Sequence, residues 1–145
     1  MPPVVAPNGA LRLPTGQVTV LLGPAAVRER VTALLDESTA RCSAGHDGGA
    51  LRLTAGAHDS AQDRVRAVSD AAERRPSLVL VDRLTDGLTG PERRTVLTAL
   101  RRLAATGVAV LVDDLDPVAA LATADVALRV GADGSLAADS LLPAL

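Results

Sequence analysis

The chain has 145 residues, enough for one domain with a single core, and 48% of them are hydrophobic although none is Phe, Tyr or Trp. Such a core must be built from Val, Leu and Ala. A formal charge of −2 supplies no basic field for nucleic acid, and without aromatic rings there is no stacking platform for single strands, so nucleic-acid binding is set aside.

All 15 of the Lys and Arg positions are arginine, a bias that reflects codon composition more than chemistry. One cysteine, Cys42, cannot form an internal disulfide. The opening "MPPVVAPNG" has neither the charged n-region nor the apolar h-region of a signal peptide, and no apolar run approaches the length of a membrane span. The expectation is one domain over residues 1–145, cytoplasmic and without direct insertion into a membrane.

In chain order, "GALRL" (Gly9 to Leu13) reads as a short edge strand ending in the Pro14-Thr15-Gly16 turn, and "QVTVLLG" (Gln17 to Gly23) as a buried strand. Ala26, Val27, Val31, Leu34 and Leu35 recur at helical spacing and predict a helix. Residues Asp36 to Gly49 show no period and read as a loop. "GALRLTAG" (Gly49 to Gly56) predicts a short strand, and "AQDRVRAVSDAAERR" (Ala61 to Arg75) a helix closed by Pro76. "SLVLVD" (Ser77 to Asp82) is an apolar strand ending in a carboxylate. Pro91 opens a helix with Val96, Leu97, Leu100 and Leu103 on its inner face and Gly107 as its cap. "VAVLVDD" (Val108 to Asp114) is a second apolar strand ending in acid. "DPVAALATA" (Asp116 to Ala124) is a short helix with Asp116 as N-cap before Pro117, and "DVALRV" (Asp125 to Val130) is a last strand before the "GADG" turn.

Strands that are apolar throughout and alternate with helices predict an α/β fold with a mostly parallel sheet covered on both faces. The working crevice of such a sheet lies at the carboxyl ends of its strands. Those ends are Gly23, Asp82 and Asp113-Asp114.

In this order the segments resemble the ATP-binding cassette ATPases of ABC transporters. "LPTGQVTVLLGP" is similar to the lead into their Walker A loop and "DGGALRLTAG" to the S-G-x-[IV]-x-[IVL]-x-G strand. "RRPSLVLVD" is similar to Walker B, "DRLTDGLTGPERR" to the D-E-P-T-S-G-L-D-P-x-x-R run, "GVAVLVDDLD" to the strand into the H-loop, and "ADVALRVGADGSL" to the A-D-R-V-x-x-L-x-x-G ending. The resemblance implies a P-loop NTPase-like sheet with short N-terminal antiparallel strands. It also implies a MgATP site, a partner in a homologous ATPase or a membrane transport subunit, and a possible homodimer.

Laid on that pattern, Gly23 keeps the first glycine of the phosphate loop, while Arg28, Glu29 and Arg30 stand at the last glycine, the lysine and the serine. Glu29 in that place faces the phosphates with like charge, a repulsion on the order of 4 kcal/mol at an effective dielectric of about 20. Arg28 and Arg30 offer forked contacts that would offset it. Asp82 keeps the magnesium-holding Walker B position, and its bland alternative is a strand-end acid that caps a turn. Arg83 replaces the catalytic glutamate and accepts no proton, so that base is missing. Asp113 or Asp114 stands at the H-loop histidine, Thr89 at the D-loop aspartate, and Gln62 is the retained residue of a signature remnant, "HDSAQ". Between Gly56 and His58 the family's glutamine loop and helical subdomain are missing.

The remnant nucleotide site is therefore Gly23, Arg28, Arg30, Gln62 and Asp82, with Asp82 as remnant magnesium ligand. No catalytic residue is assigned. One arrangement answers the misplaced charges: Arg28, Arg30 and Arg83 pair with Asp82, Asp113 and Asp114 across the crevice. A separate zinc set, Cys42, His46 and His58 with Asp47 or Asp59, has spacing unlike compact structural zinc sites, and solvated loop residues are the simpler account. Three function classes follow. The first is a non-catalytic, degenerate ABC-type domain acting as an accessory or regulatory subunit, reaching the membrane only through a partner and binding no cofactor. The second is a weak ATPase that holds phosphate through arginines and keeps MgATP. The third is a nucleotide-independent scaffold or interaction module.

Overall fold

A computed structural model describes residues 11–35, 40–42, 49–132 and 136–139. In chain order these form β1 (Leu11–Leu13), β2 (Val18–Leu22), α1 (Ala25–Leu34), β3 (Ala40–Cys42), β4 (Ala50–Thr54), α2 (Ala61–Glu73), β5 (Leu78–Asp82), α3 (Gly90–Ala105), β6 (Ala109–Asp113), α4 (Pro117–Leu121), β7 (Val126–Val130) and β8 (Leu136–Asp139). The main sheet has the order β4-β5-β6-β2-β7-β8, parallel except for β8, which runs antiparallel to β7.

The apolar runs sit where burial on both faces requires them. β2, β5 and β6 occupy interior positions of the sheet, and alternate residues divide between two cores. On one face Val18, Val20, Val79, Val81, Val110 and Val112 meet the inner stripes of α2, α3 and α4, including Val68, Val96, Leu97, Leu100 and Ala120. On the other, Leu21, Leu78, Leu80, Leu111 and Leu128 meet Val27 of α1 and Leu11 and Leu13 of β1. Both hydrophobic clusters are built from Val, Leu and Ala.

The predicted N-terminal strand lies outside the main sheet, but its pairing differs from the expected antiparallel one. β1 pairs in parallel with β3, Leu11 opposite Ala40 and Leu13 opposite Cys42. Three residues of the segment read as loop are thus a strand, too short to show a period. Helices α2 and α3 follow their local signals. Ser60 and Asp63 form one capping box, Thr89 and Glu92 another, and the Gly107 amide closes α3 on the carbonyl of Ala104. The passage from β4 to α2 is a tight turn in which Asp59 accepts the Gly56 amide at 2.8 Å and returns its own amide to the Gly56 carbonyl at 3.1 Å. The chain crosses there without an inserted subdomain.

Candidate functional site

The carboxyl ends of β5 and β6 lie side by side, with Asp82 in register with Asp113. Two like charges opposite one another in a sheet repel, and each needs a partner. For Asp113 that partner is Arg28. The inward-facing residues of α1 are Val27, Arg28 and Thr32, which places an arginine on a face that is otherwise core. Its Nη1 donates to Asp113 Oδ1 at 2.9 Å and to the backbone carbonyl of Asp114, and Arg28 is only 4% exposed. Burial pushes the Asp113 carboxyl above the usual aspartate range; the Arg28 guanidinium opposes that rise, while Asp82 and Asp114 reinforce it.

Asp114 is buried, has no salt bridge among the described residues and accepts from neutral donors: the Thr85 hydroxyl at 2.6 Å and the Asp116 amide at 2.9 Å. Thr85 in turn accepts from Arg93 Nε, and Arg93 pairs with Asp116 at 3.4 Å. Asp116 also caps α4 through the Ala119 amide, as the sequence predicts. This network fastens the loop after β5 to the end of β6.

Arg64 fastens the same loop from the other side. It is 4% exposed and donates to the backbone carbonyls of Asp59, Leu84 and Asp86 instead of to a carboxylate. Asp86 nearby has a buried Oδ1 with no donor among the described residues. Burial raises its carboxyl above the ordinary value; Arg83 and Arg64 oppose the rise and Asp114 and Asp82 add to it. The roles of Arg64, Thr85 and Arg93 were not expected from the sequence. For Arg64 a signal existed, because Arg64, Val68 and Ala71 recur at the spacing of a buried helical stripe.

Of the predicted charge pairing, one of the three arginines finds its aspartate among the described residues. Arg28 meets Asp113. Arg83 instead pairs with Glu29 at 3.7 Å, with the Glu29 side chain 61% exposed. Arg30 is exposed and forms no ion pair among the described residues, and Asp82, half-buried, has no pairing side chain there either. Arg83 adopts a left-handed backbone (φ 54°), and its amide donates to the Asp113 carbonyl at 2.8 Å, which holds the turn in that shape. Gln62 is exposed and lines a groove between α2 and α3 with Val65, Arg66 and Thr95, and no hydrogen bond joins it to Gly23, Arg28 or Asp82.

Gly23 has a local reason to be glycine. Its φ is 123°, and a Cβ there would lie 2.6 Å from the Val130 carbonyl oxygen of β7. α1 then begins at Ala25, and the amides of Val27 and Arg28 donate to the Pro24 carbonyl at 3.1 and 3.0 Å. In a phosphate loop such amides point at the anion. Here these two are bonded within the first turn, as at an ordinary helix start. Among the described residues no group of three or more His, Cys, Asp or Glu side chains could hold a metal ion. His46 and Asp47 of the zinc set lie outside the described residues.

No protein-family model matches the sequence, and no curated protein sequence matches it significantly. Solved structures do. A nucleotide-free ATP-binding cassette from an ABC transporter matches with a TM-score of 0.59 at 11% identity, over 81% of this chain and 78% of that chain. An ATP-binding subunit of an ABC transporter matches with a TM-score of 0.49 at 12% identity, over 81% and 75%. The first match shows that the fold is that of an ATP-binding cassette. Its two coverages are nearly equal, so it lends nothing to the expectation that this chain is shortened. No helix among the described residues is long and apolar enough to cross a membrane.

Proposed function

We propose that this chain is a non-catalytic, ABC-cassette-like domain, an accessory or regulatory subunit whose nucleotide crevice is occupied by its own charges. The observation that carries this reading is the buried Arg28–Asp113 pair beneath the start of α1. A buried ion pair of good geometry is lost only at a large cost, and a phosphate entering here would compete with Asp113 for Arg28. Arg83 at the general-base position, paired with Glu29, agrees with it. The reading includes no resident cofactor, no hydrolysis of MgATP, and action through a membrane transport subunit or a homologous ATPase on the cytoplasmic side.

The test is the calorimetric thermal midpoint with and without millimolar MgATP and MgADP. A ligand at about 100 times its Kd adds roughly 2.7 kcal/mol and moves the midpoint of a domain this size by several degrees. No shift is expected. A shift of that size would favour the weak, arginine-assisted ATPase instead and overturn the proposal.

A further inference from the structure

The described helices differ in the charges they leave unanswered. On α1 Glu29 is paired with Arg83, and on α3 Arg93 and Arg101 have their aspartates while Glu92 is held in its capping box. Only arginines remain there without an ion pair among the described residues: Arg30, Arg94 and Arg102. α2 keeps both signs. Arg66 and Glu73 are exposed, form no ion pair among the described residues and lie about two turns apart along one line of the helix. Asp63, one turn before Arg66, is already held by Ser60.

The same line borders a groove of about 520 Å³ between α2 and α3. Half-buried Ala61 and Val65 form its floor, and Gln62, Arg66, Ser69 and Thr95 its exposed walls. Small and neutral side chains between two packed helices leave room for the ridge of a third. We propose that a second copy of this chain supplies that ridge, the two α2 helices lying antiparallel about a twofold axis beside Ser69. Such an axis reverses the direction of α2, so Arg66 of one copy comes against the partner's Glu73 and the reverse pair forms at the same time. The surface is therefore self-complementary, as a twofold interface must be. Ser69, near the midpoint of the two charges, is small and uncharged. Asp70 lines the hollow on the opposite flank of α2, beside Leu51 and Leu53, and so stays off the axis. None of this depends on whether the crevice binds nucleotide.

Sedimentation equilibrium of the full chain over a wide concentration range tests the proposal, together with Arg66→Glu, Glu73→Arg, the combined swap and Ser69→Arg. The expected result is a reversible dimer that each single reversal weakens by about tenfold, since two symmetry-related pairs are lost at once, and that the swap restores. Ser69→Arg sets two like charges beside the axis and is expected to leave a monomer. A monomer at every concentration for the unsubstituted chain would overturn the proposal. A dimer indifferent to the single reversals or to Ser69→Arg, or one that the swap fails to restore, would overturn it too. All three side chains are exposed, so the substitutions leave the fold in place.

Discussion

Helices α1 and α3 begin in opposite ways. α3 starts on a local device: Thr89 accepts the Glu92 amide, Glu92 accepts the Thr89 amide, and a proline sits in the first turn. α1 starts at Pro24 with no side-chain cap and no acid in its first turn, and is instead anchored by Arg28 to Asp113, 85 residues away in sequence. A helix held by its own neighbours has a start that any chain segment can carry. One held by a buried ion pair is fastened to the strand ends, at the place where an ATP-binding cassette would hold phosphate. The difference teaches that the crevice end of this molecule is fastened by a tertiary ion pair, while the α2–α3 side is built from local rules.

Breaking the long-range anchor has the largest expected effect. Arg28→Ala or Asp113→Ala leaves a buried charge without its partner and lowers unfolding free energy by about 3–5 kcal/mol in urea titrations. Replacing both, as Arg28→Met with Asp113→Leu, removes the two charges together and is expected to cost far less than either single change. Equal losses in the singles and the double would mean that packing, not charge, anchors α1. The local devices come next: Ser60→Ala and Thr89→Ala each cost about 1 kcal/mol, and their effects add because the two caps share no partner.

Acidity separates the two regions by sign. Asp63 and Glu92 are held below the ordinary carboxylate range by the backbone and hydroxyl donors of Ser60 and Thr89. Their contribution is present above the unfolded value near 4 and is lost as pH falls through the lowered folded value. Asp86 behaves in the opposite way. Burial raises it, so its ionisation costs the fold, and its contribution is fully present below about pH 4 and is lost as pH rises through its raised folded value. Stability measured down from neutral pH should therefore improve before the acid limb begins, and Asp86→Asn should reduce that improvement, the rest coming from Asp113, which burial also raises. A wild-type curve that only declines on acidification, identical to the variant's, would contradict it. The smallest effect belongs to Glu29→Gln, since the Arg83 pair is exposed and 3.7 Å long; a change within about 0.5 kcal/mol is expected.

The contrast also explains what could be read from the sequence. Capping residues, apolar strands and terminal glycines act over a few positions, so β2, β5, β6, α2 and α3 and the parallel sheet were legible, and so was the convergence of Asp82 and Asp113. The β1–β3 ribbon was not, because its partners are 29 positions apart and each has only three residues. The ion pair was legible as opposite charge at a helix start and a strand end. Which arginine would turn inward was not, since that depends on α1 beginning at Ala25, two residues beyond Gly23, which puts Arg28 on the buried face and Arg30 in solvent.

The most direct test of the closed crevice is the amide spectrum of the 15N-labelled chain titrated with MgATP into the millimolar range. No saturable shift is expected at Gly23, Val27, Arg28 or Val31, because Arg28 stays with Asp113. Saturable shifts confined to those amides would show a phosphate seated at the start of α1, and would contradict a crevice closed by its own charges.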